Sequence, residues 1–171
     1  KRFLSVLIGR LKTPYNAVKI YKKFMRFFRD KAVLFHEKIG TEEEGHTNLK
    51  KTLERINKKP IFLKIDIEGY EYRILDEIKL NSDLLSGMVI EFHKISDHID
   101  EIRNFINNFE LKLIHVHPNN NKVDDQGNPM AIEMSFARDP EKLSEKSILP
   151  HPLDQLNVPR KEAVSLRFFD S

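Results

Sequence analysis

The sequence predicts an α/β domain with a mostly parallel sheet, a C-terminal antiparallel hairpin and helices on both faces. Short apolar runs of strand length alternate with stretches of helical periodicity, the pattern of right-handed βαβ units. The last two strand-like runs are joined by a turn-rich loop with no helical period, so they should pair as a hairpin. The length, 171 residues, suffices for one domain with a real core and is too short for two comfortable ones.

Taken in order, residues 3–11 and 15–28 read as helices. In the second, Val18, Tyr21, Met25 and Phe28 recur at helical spacing, Phe24 and Phe27 widen the apolar face, and Pro14 suits a first turn after Thr13. Residues 32–36 look like a strand. An acidic loop from Thr41 to Gly45 follows, then a helix from about Thr47 with Leu49, Leu53 and Ile56 inward. Ile61 to Ile65 is a strand, and a helix over Glu71 to Ile78 places Tyr70, Ile74, Leu75 and Ile78 on one face. Met88 to Phe92 is the next strand, and Ile99, Ile102, Phe105 and Ile106 mark the helix after it. Leu111 to Val116 is a strand, Pro118 to Asn128 a loop, and Ala131 to Phe136 alternates like a strand with one polar face. Residues 139–171 carry Pro140, Pro150, Pro152 and Pro159 and read as an extended or partly disordered tail. The expected organisation is thus a helical segment over 1–31, an α/β domain over 32–138, and that tail.

A net charge of +3 conceals an asymmetry. Residues 1–31 hold ten Lys or Arg against the single acid Asp30, a balance of +9, and the remainder holds 19 basic against 25 acidic side chains. A basic amphipathic opening before an acidic body suggests an anionic surface or partner for the first segment. Nucleic acid is not expected, because Tyr15, Tyr21, Phe24, Phe27 and Phe28 sit at a spacing that suits a core. The apolar run Phe3 to Ile8 is broken by Ser5, too short for a spanning helix, and lacks a signal-peptide cleavage site. Cysteine is absent, which removes disulfides, a thiol nucleophile and thiolate metal sites. A cytoplasmic location is expected.

The stretch most concerned with function is Lys64-Ile-Asp-Ile-Glu-Gly-Tyr-Glu71. It places Asp66 and Glu68, two residues apart, where a strand hands over to a helix, outside the carboxyl end of the strand where open α/β sheets bind ligands. An extended chain would put both carboxylates on one side. There they could take a proton from an attacking hydroxyl or amine. Equally, Glu68 could merely cap the helix while Gly69 eases the turn. Glu91 and His93 repeat the spacing on the next strand, and His93 is a second candidate acid or base. His115 and His117 share a face, followed by Asn119 and Asn120, whose amides suit sugar-like hydroxyls and plain turns equally well. All these groups could converge at one end of the sheet. No metal site is expected, since no His-Glu-x-x-His or comparable spacing occurs; neither a Gly-x-Ser-x-Gly elbow nor a P-loop is present.

The order of Leu63-Lys-Ile-Asp-Ile-Glu-Gly-Tyr-Glu71, Val89-Ile-Glu-Phe-His93, Ile114-His-Val-His-Pro-Asn-Asn120 and Pro129-Met-Ala-Ile-Glu-Met-Ser-Phe136 resembles the FkbM-type S-adenosylmethionine-dependent methyltransferases. The resemblance covers residues 32–138. It implies a seven-stranded Rossmann-like sheet with a reversed last strand, residues 61–65, 88–92, 111–116 and 131–136 taking its fourth to seventh places. It further implies S-adenosylmethionine as cofactor, with Asp66 and Gly69 near it. Asp66, Glu68 and His93 become the catalytic candidates, and Glu91, His117, Asn119 and Asn120 the candidates for binding a glycan or small-molecule acceptor. One departure stands out. The family's Gly-rich turn after its first strand has no counterpart here, for the glycines are 9, 40, 45, 69, 87 and 127 and no Gly-x-Gly occurs. The sheet is then expected to be incomplete, either because the sequence is part of a longer chain or because cofactor binding has been lost. A non-catalytic binding or assembly module, a metal-dependent hydrolase and a homo-oligomer are the alternatives the sequence leaves open. The strand at 61–65 should also have an edge that something else must cover.

Overall fold

A computed structural model describes residues 14–30, 32–35, 37–40, 46–56, 58–141 and 150–166. The chain divides into two compact units, Lys1–Glu37 and Lys38–Ser171. In the first, helix α1 spans Pro14–Asp30, opening on the proline as its fixed φ favours. Its apolar residues are not a core: Val18, Tyr21, Phe24, Met25 and Phe27 are all at least 40% exposed. Residues 32–35 carry no strand, so the strand expected there is corrected. The helix expected over 3–11 and the loop at 41–45 lie outside the described residues.

The second unit opens with a small parallel pair, β1 (Lys38–Ile39) and β2 (His46–Thr47). Helix α2 (Leu49–Glu54) follows, capped by Asn48, whose Oδ1 accepts from the Lys51 N–H at 2.9 Å. Leu49 and Leu53 are buried as expected, but Ile56 falls beyond the helix and is exposed. Substituting Asn48→Ala should cost about 1 kcal/mol, read as a lowered urea midpoint with unchanged slope.

The main sheet is built from β3 (Ile61–Ile65), β4 (Leu85–His93), β5 (Lys112–Pro118) and β6 (Ala131–Ala137) in the order β3-β4-β6-β5. Only β3 and β4 are parallel; β6 runs antiparallel to both its neighbours. The sheet is therefore mixed, and the mostly parallel expectation is corrected. The reason is topological: β6 returns through a short-range loop and inserts between β4 and β5, which reverses two of the three pairings. The antiparallel pairing of the last two strands is as the sequence predicts. Strand β3 lies at one edge, with no strand on its outer side among the described residues.

Between β3 and β4 the chain forms a 3-10 turn at Glu71–Ile74 and helix α3 (Leu75–Leu80); between β4 and β5 it forms α4 (Ile95–Asn108). Ile74, Leu75 and Ile78 are buried, whereas Tyr70 is exposed. The core lies on one face of the sheet, where Ile61, Ile65, Met88, Ile90, Phe92, Ile132, Met134 and Phe136 meet the buried residues of α2, α3 and α4. Phe92, Phe105, Phe109 and Phe136 pack with ring centroids 4.7–6.1 Å apart, mostly edge-on, the arrangement favoured by aromatic quadrupoles. Within this unit the described helices gather on that single face. Phe62, 64% exposed, and the Lys64–Glu133 ion pair lie on the opposite face. Gly87 permits close packing there, since a Cβ would sit 3.0 Å from the Phe136 carbonyl oxygen. No helix among the described residues is long and apolar enough to cross a membrane.

Candidate functional site

Strand β3 ends at Ile65, and the chain then turns through two positive-φ residues, Glu68 (φ 55°) and Gly69 (φ 101°). This backbone conformation explains the glycine, because L side chains rarely adopt it. It also replaces the alternation expected to align Asp66 with Glu68. Both nonetheless approach the end of β4. Glu68 Oε2 lies 3.6 Å from His93 Nε2, and ligating atoms of Asp66, Glu91 and His93 lie within 4.8 Å of one another. The Asn119 side-chain amide donates to Glu91 Oε1 at 2.7 Å. Glu68, Glu91, His93 and Asn119 border a cleft of about 310 Å³ that Lys94 and Lys122 also line; Asp66 is not part of its lining. A larger open groove, about 1260 Å³, runs between the start of α4 and the tail and carries none of the catalytic candidates.

The cleft is organised by a residue that sequence reasoning missed. Glu71 is fully buried and its carboxylate ties together the ends of both parallel strands. Its Oε2 accepts the Gly69 N–H at 2.8 Å, its Oε1 accepts the His93 N–H at 2.6 Å, and His93 Nδ1 lies 3.1 Å from Oε1. No side chain caps the 3-10 turn or α3, so the alternative reading of Glu68 as a helix cap is corrected; Glu71 instead holds the Gly69 and His93 N–H groups, which lie outside both elements. Tyr72 completes the clamp by donating its hydroxyl to the His93 carbonyl, with its ring stacked on His98 at 3.8 Å. Burial, and then the negative charge of Glu71, push the Tyr72 phenol well above its ordinary range, so it remains a donor at any working pH. Nothing in the sequence singles Glu71 out from other acids in the first turn of a helix.

His93 is thus held at its N–H, its carbonyl and its ring Nδ1, leaving Nε2 turned to the cleft. The expected convergence of all the candidates does not occur. His115 and His117 lie on β5, separated from β4 by β6, and form their own group with Asp154 of the tail: His115 Nε2 to Asp154 Oδ1 is 2.8 Å. His117 Nε2 meets Asn157 Oδ1 at 3.1 Å. Asn120 is buried and holds the tail rather than the cleft, its Nδ2 donating to the carbonyls of Val158, Lys161 and Glu162 and its Oδ1 accepting the Val158 N–H at 2.9 Å. Residues 150–166 are accordingly extended but anchored. Substituting Asn120→Ala should free this segment, seen as faster proteolysis after residue 150 with the sheet intact.

Burial tends to raise the Asp154 carboxyl, but the His151 N–H, the His115 hydrogen bond and the charges of His115 and His117 outweigh it and hold it below its usual value. A carboxyl depressed in the folded state contributes stability above its unfolded pKa, and loses it as pH falls through the folded value. The protection of the 151–158 amides, taken relative to their intrinsic exchange rates, should therefore fall as the pH drops through the acidic range.

The sequence model of the Methyltransferase FkbM domain matches residues 16–113, more than half of the chain. The chain belongs to this family. The match takes in the strand–turn–strand that builds the cleft, and ends within β5, so the His117–Asn120 and β6 segments lie beyond it. No curated protein and no solved structure gives a significant match. As a member of the FkbM methyltransferase domain family the chain has a methyl-transfer lineage, and its Asp66–Glu71 turn lies inside the matched region.

Proposed function

We propose that this FkbM-family chain forms the acceptor wall of an S-adenosylmethionine-dependent O-methyltransferase acting on a hydroxyl of a glycan or small molecule. The observation that carries this reading is the His93–Glu71 pair at the cleft. A neutral imidazole whose Nδ1–H is held by a carboxylate presents the lone pair of Nε2, here toward the space between Glu68, Glu91 and Asn119. A hydroxyl placed there would give its proton to Nε2 as its oxygen becomes the nucleophile. Glu91, steadied by Asn119, and Lys94 and Lys122 would orient a polyhydroxylated acceptor. Asp66 and Glu68 sit close enough to His93 to favour the imidazolium that results.

The methyl donor's cradle is a different matter. Gly69 has nothing within 4 Å of where a Cβ would stand, and its N–H is already taken by Glu71. Its positive φ serves the turn, and no Gly-x-Gly stands elsewhere in the chain to cradle a cofactor. This favours, as a second reading, a non-catalytic acceptor-binding module. Calorimetry of the folded protein with S-adenosylmethionine and with S-adenosylhomocysteine separates the two. Heat with both, together with label transfer to hydroxyl acceptors, supports the enzyme; no heat with either rejects it in favour of the module.

A further inference from the structure

We propose that His115, His117 and Asp154 form a site for a divalent zinc-type metal ion that fastens the C-terminal segment onto the last strand pair. The two histidines alternate on β5, where a register shift between Leu113 and His115 brings them onto the face over which the tail passes. Asp154 comes from that tail, so the set joins two parts of the chain distant in sequence. One atom from each of the three lies within 4.8 Å of the others.

The spacing matches a metal better than it matches a set of hydrogen bonds. Nitrogen and oxygen ligands about 2.0–2.1 Å from a tetrahedral zinc lie roughly 3.3 Å apart. Asp154 Oδ1 is 2.8 Å from His115 Nε2 and 3.6 Å from His117 Nδ1, so adjustments of a few tenths of an ångström would admit the ion. The ring of His117 supplies the independent observation. Its Nδ1 is buried and has no hydrogen-bond partner, while its Nε2 meets the Asn157 side-chain oxygen at 3.1 Å. Donation from Nε2 to that oxygen leaves the Nδ1 lone pair facing a carboxylate oxygen, an arrangement that calls for a cation between them. A carbonyl oxygen on the far nitrogen is also the partner that metal-bound histidines ordinarily have.

The carboxylate is equally prepared. Asp154 Oδ2 accepts the His151 N–H at 2.8 Å, which fixes its orientation and leaves Oδ1 for the histidine pair. His151 itself stands edge-on to His115 with ring centroids 5.6 Å apart. Its Nδ1 accepts the Leu153 N–H at 3.2 Å and it stands outside the three-residue group, so water would complete the shell. Two imidazoles, one carboxylate and no thiolate select zinc or cobalt over calcium and magnesium, which require more oxygen ligands.

The test uses the full chain freed of metal by chelation and titrated with Zn2+ and with Co2+. One equivalent should bind, the cobalt form should show the intense visible absorption of a tetrahedral site, and zinc should slow proteolysis after residue 150. His117→Ala and Asp154→Asn should each abolish stoichiometric binding, and Asn157→Ala should weaken it about tenfold. X-ray absorption on the unmodified zinc form, requiring no variant to fold, should report at least two imidazole nitrogens. Binding below one equivalent, a first shell without imidazole, or binding lost in Asp66→Asn yet kept in His117→Ala would each overturn the proposal.

Discussion

Replacing Glu71 by alanine is expected to destabilise the domain by about 3 kcal/mol, since two backbone N–H groups lose their acceptor at roughly 1–3 kcal/mol each. The Gly69 and His93 amides are only partly buried, which keeps the estimate below the upper end. For a domain of this size the melting temperature should fall by about 10 °C. Glu71→Gln retains the volume and one acceptor oxygen but turns an N–H toward another N–H, and should fall between wild type and alanine. Urea denaturation of both variants measures this. A loss under about 1 kcal/mol for Glu71→Ala would mean that water replaces the carboxylate and that the strand ends are held by packing alone.

Replacing His93 by glutamine is expected to lower methyl transfer by about 10²–10⁴-fold, the usual contribution of a positioned general base. The backbone N–H and carbonyl of residue 93 keep their partners Glu71 and Tyr72, so folding should be little affected. The informative readout is the split between kcat and KM: kcat should fall while KM for the acceptor changes little. A variant that transfers at the wild-type rate would remove His93 from the chemistry and direct attention to Asp66 or Glu68.

The sequence revealed the strands of the main sheet because each is a short apolar run bounded by turns, and revealed the hairpin because no helical period separates its strands. It pointed to the Asp66–Glu71 turn as the centre of the site. It could not reveal how the groups there divide the work. Glu68 is conspicuous as a carboxylate after a strand yet its side chain is 87% exposed, whereas Glu71, which looks like an ordinary helix-start acid, is fully buried. Burial of a charge depends on what packs over it, and here that is the end of a strand two dozen residues downstream. The mixed sheet was missed for a similar reason. Alternation in Ala131–Phe136 marks a strand, but nothing local to it says that it will enter between two earlier ones. Asn120 shows the limit from the other side: its amide suits a sugar, a turn or a clamp, and only the tail's path decides among them.

The insertion of β6 bears on how the chain reaches its native state. Until residues 131–137 exist, β5 has no strand neighbour among the described residues and β4 pairs there on one side only, even though both are already synthesised. The register joins Gly87 to Ala137 and Lys112 to the same Ala137, so one late strand closes contacts of long and short range together. Sheet formation should be a late, cooperative event whose rate is set by the long closure from β4 to β6. The growing chain would meanwhile expose the apolar face of β5, and the loop from Pro118 to Met130 would set how soon that exposure ends.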